Sequence, residues 1–116
     1  MISHEHAQLQ RIFLLLSLGI TDALRKGIIS HNEAEWLLFS PRTMSYCKSM
    51  GTDAELVHLI HMGTELESIR KIVSVDDWLE AIDKIRSTAF LVLSRTEPCD
   101  TQLDPWIEKL LPEFKK

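Results

Sequence analysis

The chain has 116 residues, 45% of them hydrophobic and 26% charged, a composition that suits one folded domain and excludes an intrinsically disordered chain. Four glycines and four prolines supply too few turns for an all-β fold built from hairpins. The net charge of −4 is unevenly spread: residues 1–51 hold four acids against five Lys and Arg, and residues 52–116 hold thirteen against eight, so a broad basic footprint for nucleic acid is excluded and a basic protein partner is favoured.

In chain order, a first helix is predicted over about residues 4–26. Leu9, Ile12, Phe13, Leu16, Ile20, Ala23 and Leu24 fall on one apolar stripe, and Leu14, Leu15 and Leu18 make its other side apolar as well. Such a helix is expected to be central and covered on several faces. Arg25 and Lys26 suit its negative C-terminal end, and Gly27 is its stop. Ser30 and Glu33 have the spacing of a capping box that opens a second helix through Trp36 and Leu38. Pro41 ends that helix and, with Ser40 as N-cap, starts a third running to about Met50, with Gly51 after it. Thr52 or Asp53 caps a fourth helix, which Gly63 closes.

Thr64-Glu65-Leu66-Glu67 reads as another capping box for a short helix through Ile69, Ile72 and Val73. Ser74 caps the longest late helix, residues 75–93, whose stripe includes Val75, Trp78, Leu79, Ile82, Ile85, Ala89 and Val92. A polar loop follows over residues 94–103, and Asp104-Pro105 caps a last helix over residues 106–111. No stretch alternates as a strand does. The fold class expected is therefore all-α, a compact single-domain bundle or array of six to seven helices spanning residues 1–116.

Cys47 and Cys99 have no zinc-type or CxxC spacing, and reduced thiols fit a cytoplasmic protein. The longest apolar stretch, residues 12–20, is too short for a membrane span, and residues 1–5 lack the basic region of a signal peptide. No membrane association is expected.

Leu18-Gly19-Ile20-Thr21-Asp22-Ala23-Leu24-Arg25-Lys26-Gly27-Ile28-Ile29-Ser30, followed by Glu33-Ala34-Glu35 and Leu38-Phe39-Ser40-Pro41-Arg42, makes one distinctive block. A second is Leu59-Ile60-His61-Met62-Gly63-Thr64-Glu65-Leu66-Glu67-Ser68-Ile69. Together they resemble a family of small bacterial all-helical proteins that includes immunity proteins of contact-dependent growth inhibition and related toxin systems. The resemblance implies an antitoxin-like role, in which a stoichiometric inhibitor covers the active site of a cognate toxin, often a nuclease. It assigns no binding residue.

The residues themselves offer a candidate partner-binding surface in the acidic run from Glu65 to Asp83. Asp76, Glu80 and Asp83 share one face of the late helix with Asp77 beside them, and Glu65 and Glu67 open the helix before it. A carboxylate patch matches the cationic side chains that a nuclease uses to hold phosphate, and it accelerates encounter. The same acids also suit first helical turns and a solvated helix face.

Glu55, His58 and His61 have metal-ligand spacing on one helix, but zinc takes three or four ligands and di-iron bundles use two such helices. No metal or cofactor is expected. Ser40, Ser45 and Cys47 match no nucleophile motif, and no enzymatic activity is expected. Trp78 lies on the apolar stripe, and core is the expectation for Trp36 and Trp106 as well, with Tyr46 and Arg42 open. The function expected is toxin neutralisation as a monomer in a one-to-one complex. The alternative is a small adaptor that binds a partner through an apolar groove.

Overall fold

A computed structural model describes residues 4–98 of the chain. Within them the backbone forms α1 (His4–Arg25), α2 (His31–Leu37), α3 (Pro41–Met50), α4 (Ala54–Thr64), α5 (Leu66–Ile72) and α6 (Val75–Arg95), and no strand among the described residues. The fold is all-α. Only Glu65 separates α4 from α5, so the described residues make five separate rods, one of them broken, rather than the six or seven expected. The helix expected over residues 106–111, with Trp106, lies outside the described residues, as does Cys99.

Local chemistry sets most boundaries. Ser30, Ser40 and Ser74 accept hydrogen bonds from the Glu33, Thr43 and Asp77 amides at the starts of α2, α3 and α6, each such cap stabilising its helix by about 1 kcal/mol. Asp53, rather than Thr52, caps α4, its Oδ1 accepting from the Glu55 amide at 2.8 Å. Gly27 and Gly51 adopt positive φ, 73° and 72°, as the chain leaves α1 and α3.

The expected box at Thr64 does not form. The Thr64 hydroxyl donates back to the His61 carbonyl at 2.6 Å, α4 runs on through Thr64, and Glu65 opens α5 without a side-chain cap. Gly63 is therefore not a stop. It is buried inside α4, where a Cβ would lie within 2.7 Å of three ring carbons of Phe39. The glycine leaves the space that the Phe39 ring occupies against the helix.

The core is organised around α6, which packs against α1, α4 and α5, with α3 on α4. Trp78, Ile82, Ile85, Ala89 and Val92 form its buried face, opposite Leu14, Ile20 and Leu24 of α1 and Leu56, Leu59 and Ile60 of α4. Each large aliphatic side chain buried here contributes about 1.5–3 kcal/mol. Arg11 fastens the far end. Its Nη1 donates to the Leu93 and Thr96 carbonyls at 3.3 and 3.2 Å and to Thr96 Oγ1 at 2.8 Å, so α1 runs antiparallel to α6 and satisfies its last carbonyls.

One expectation for α1 is corrected. The helix is not covered on several faces: Leu15 and Leu16 are 53% and 43% exposed. The face turned inward carries Gln10, Leu14, Ser17, Thr21 and Leu24. Its polar groups are satisfied locally or by a neighbour. Ser17 donates to the Phe13 carbonyl and Thr21 to those of Ser17 and Leu18, while Gln10 Oε1 accepts from the Asp53 amide at 2.8 Å. Among the described residues no helix is long and apolar enough to cross a membrane.

Candidate functional site

The six acids of the expected binding surface divide into two groups. Glu65 meets His61 Nε2 at 3.1 Å, Glu67 meets Lys71 at 3.8 Å, and Asp83 meets Arg25 of α1 at 2.7 Å. Asp76, Asp77 and Glu80 are exposed and have no ion-pair partner among the described residues. Asp76 and Asp77 stand in the first turn of α6, where the backbone amides favour negative charge. Asp83, three residues past Glu80, turns instead toward the end of α1. What remains for solvent or a partner is a three-carboxylate cluster, with Val75 half-exposed beside it.

Behind this helix start lies an aromatic joint. The Trp78 indole Nε1–H donates to His31 Nε2 at 3.2 Å, and the two rings meet edge to face with centroids 5.6 Å apart. Arg70 of α5 lies 6.0 Å from the Trp78 ring centre. Accepting the indole proton requires His31 to be neutral at Nε2. Burial lowers its pKa below the usual histidine value, Glu67 opposes that shift, and Arg70 and Lys71 add to it. The joint connects the first residue of α2 to α6.

The metal-ligand spacing at Glu55, His58 and His61 is drawn into other pairings. Glu55 pairs with Arg95 of α6, a bond that raises the Arg95 pKa, and His61 pairs with Glu65. Among the described residues no group of three or more His, Cys, Asp or Glu side chains is placed to hold a metal ion. Cys47 is fully buried, and burial raises its thiol pKa, a hydrogen bond involving Thr52 opposing it in part, which leaves little thiolate for nucleophilic attack. Ser40 holds its capping bond to Thr43.

A feature that the sequence did not disclose lies on the other side of α1. Ile12, Leu15, Leu16, Gly19, Ile20 and Ala23 of α1, together with Ile29 and Leu37, line an open groove of about 410 Å³. A smaller hollow of about 290 Å³, lined by Phe13, Leu37, Tyr46 and Arg42 among others, adjoins it through Leu37. Trp36, expected in the core, is 84% exposed. It stands two residues after the buried Ala34 of α2, a spacing that turns it toward solvent. The signal for the groove is the same run of leucines that suggested a helix covered all round. Its exposed half could not be told from its buried half without knowing where α6 packs.

The fold and these surfaces define an all-helical protein with an acidic cluster at one helix start and an apolar groove on its first helix. The chain belongs to a family described as a protein of unknown function, DUF3969, whose model matches residues 4–108. No curated protein and no solved structure matches it.

Proposed function

We propose that this protein acts by binding, as an immunity-type inhibitor that neutralises a cognate bacterial toxin by covering a cationic active site such as that of a ribonuclease. The supporting observation is the cluster of Asp76, Asp77 and Glu80, exposed and without a cation partner among the described residues, on the more acidic part of the chain. Unpaired carboxylates at a rigid helix start attract a basic surface and incur little conformational cost on docking. The partner-binding reading rests on these three more than on Glu65, Glu67 and Asp83, each of which already has a side-chain partner within the chain.

The test combines D76N, D77N and E80Q in one variant and measures protection of cells that express a candidate cognate toxin domain, such as a ribonuclease. The expected outcome is lost protection, with an association rate lowered about tenfold or more at low salt and a flattened salt dependence. Undiminished protection with an unchanged association rate would sink the acidic-face reading.

A second reading, an adaptor that takes a partner in an apolar groove, is favoured by the open face of α1. Leu15, Leu16 and Leu37, 53%, 43% and 44% exposed, lie together along one groove, and contiguous apolar surface of this kind marks a contact site.

A further inference from the structure

We propose that His31 is a proton-operated latch: neutral, it fastens the start of α2 to the Trp78 indole of α6, and protonated, it releases that first turn while the rest of the fold stays in place. The latch does not depend on either binding reading.

The geometry leaves no room for a second proton on the ring. The indole Nε1–H is a donor only, and it reaches His31 Nε2 at 3.2 Å, so that nitrogen must offer a lone pair. An imidazolium carries hydrogen on both nitrogens. Protonation at Nε2 sets two N–H groups against each other, and it adds a cation where Arg70 already lies 6.0 Å from the Trp78 ring centre. Trp78 is buried. A buried donor that loses its acceptor must find water instead, and water reaches it only when the joint opens.

Few other contacts hold the turn that moves. Among the described residues, residues 29–33 make no other side-chain hydrogen bond or ion pair with another helix. The Ser30 cap on the Glu33 amide is local and travels with the turn. Ile29 is partly buried against the core, whereas Asn32 and Glu33 are exposed. On one side the chain is fixed to α1, where the Ile28 amide donates to the Ala23 carbonyl at 2.9 Å. On the other, Ala34 is buried, with Leu38 and Phe39 after it. The opening is confined to one turn between two anchors.

The charges acting on the ring come from α5. Burial is the largest influence and disfavours the charged form; Glu67 favours it, and Arg70 and Lys71 disfavour it. From α6 the ring meets the indole, which does not titrate. The helix on which α2 packs, α1, ends in charges that are already paired, Lys26 with Asp22 and Arg25 with Asp83. Glu35, one turn along α2, is exposed to water. The latch is closed at neutral pH and opens as pH falls through a value below about 6.5.

Nuclear magnetic resonance of the isotope-labelled full chain, titrated between about pH 7.5 and 5, tests the latch. The Trp78 indole proton is expected to move upfield with the same midpoint as the His31 ring. Its protection from exchange, corrected for pH, is expected to fall about tenfold or more. The amides of residues 31–33 are expected to shift with it, while those of Ile82, Ile85 and Val92 stay in place. In His31→Gln, which keeps an acceptor and cannot titrate, the indole signal is expected to stay constant. Glu67→Gln withdraws the carboxylate that favours the charged ring and is expected to lower the midpoint. An indole signal that stays constant in wild type while His31 titrates, or that moves equally in H31Q, overturns the latch. So does the simultaneous collapse of all dispersed signals, which is global unfolding and not local release. A midpoint unchanged in E67Q overturns the part given to Glu67.

Discussion

A methyl group added at Gly63 has nowhere to go but into the Phe39 ring, which is itself 1% exposed and held by the surrounding core. Replacement by alanine gains about 1 kcal/mol of helix propensity but forces the ring or the helix to move, an overpacking cost of about 1–3 kcal/mol. Gly63→Ala is therefore expected to lower the urea midpoint, and pairing it with Phe39→Leu is expected to recover part of the loss. A midpoint that rises in the single variant would show that the ring yields freely. His31 makes a second prediction. Its folded-state pKa is lowered, so the unfolded chain takes up the proton first. Stability is complete above about pH 6.5, the unfolded-state value, declines as pH falls through it, and levels off below the folded-state value. In His31→Gln, which keeps an acceptor for the Trp78 indole and cannot titrate, the loss of stability between pH 7.5 and 5 is expected to be smaller than in wild type. Parallel pH curves for the two proteins would remove His31 as the cause.

Where helices begin is mostly a matter of hydrogen bonds between near neighbours, so Ser30, Ser40 and Ser74 were legible as caps and were found as caps. The break after α4 was misplaced because Thr64 has two local options. Its hydroxyl bonds backward to the His61 carbonyl rather than forward to an amide, and Gly63 answers to Phe39 of another element. The cap on the other end of α6 was also not legible, since Arg11 and Thr96 are 85 positions apart. That cap carries a prediction of its own. Arg11→Ala removes the donors to the Leu93 and Thr96 carbonyls and is expected to cost about 1–2 kcal/mol, read as a lower denaturant midpoint at unchanged slope. Hydrogen exchange is expected to quicken most in the last turn of α6. A uniform change across the helix, with none concentrated at residues 93–96, would point to a different role for the side chain.

For the molecule as a whole, helical class and helix order follow from patterning and caps, whereas the facing of each helix is a property of the assembly. Ile82, Ile85, Ala89 and Val92 were assigned inward and are inward, because α6 has one apolar stripe and no competing one. In α1 nearly every side is apolar, and the side chosen for the core includes Gln10, Ser17 and Thr21, which a hydrophobicity pattern places outside. Their buried polar atoms find partners in their own helix and at the start of α4, so their burial costs little. The candidate surfaces divide in the same way. Acidity along residues 65–83 is visible in the sequence, but which carboxylates remain unpaired depends on α1 presenting Arg25 to Asp83.

The pairing of α1 with α6 also has a consequence for how the protein is made. Helical proteins usually close short loops first and fold fast, but here the contacts of Arg11 with Thr96 and of Arg25 with Asp83 close loops of 85 and 58 residues. On a ribosome adding roughly 5–20 residues per second, α1 is complete several seconds before Val92 is joined to the chain. Throughout that interval both its inward face and its exposed apolar side meet water. The nascent first helix is thus a target for holding chaperones until α6 arrives to claim one side of it.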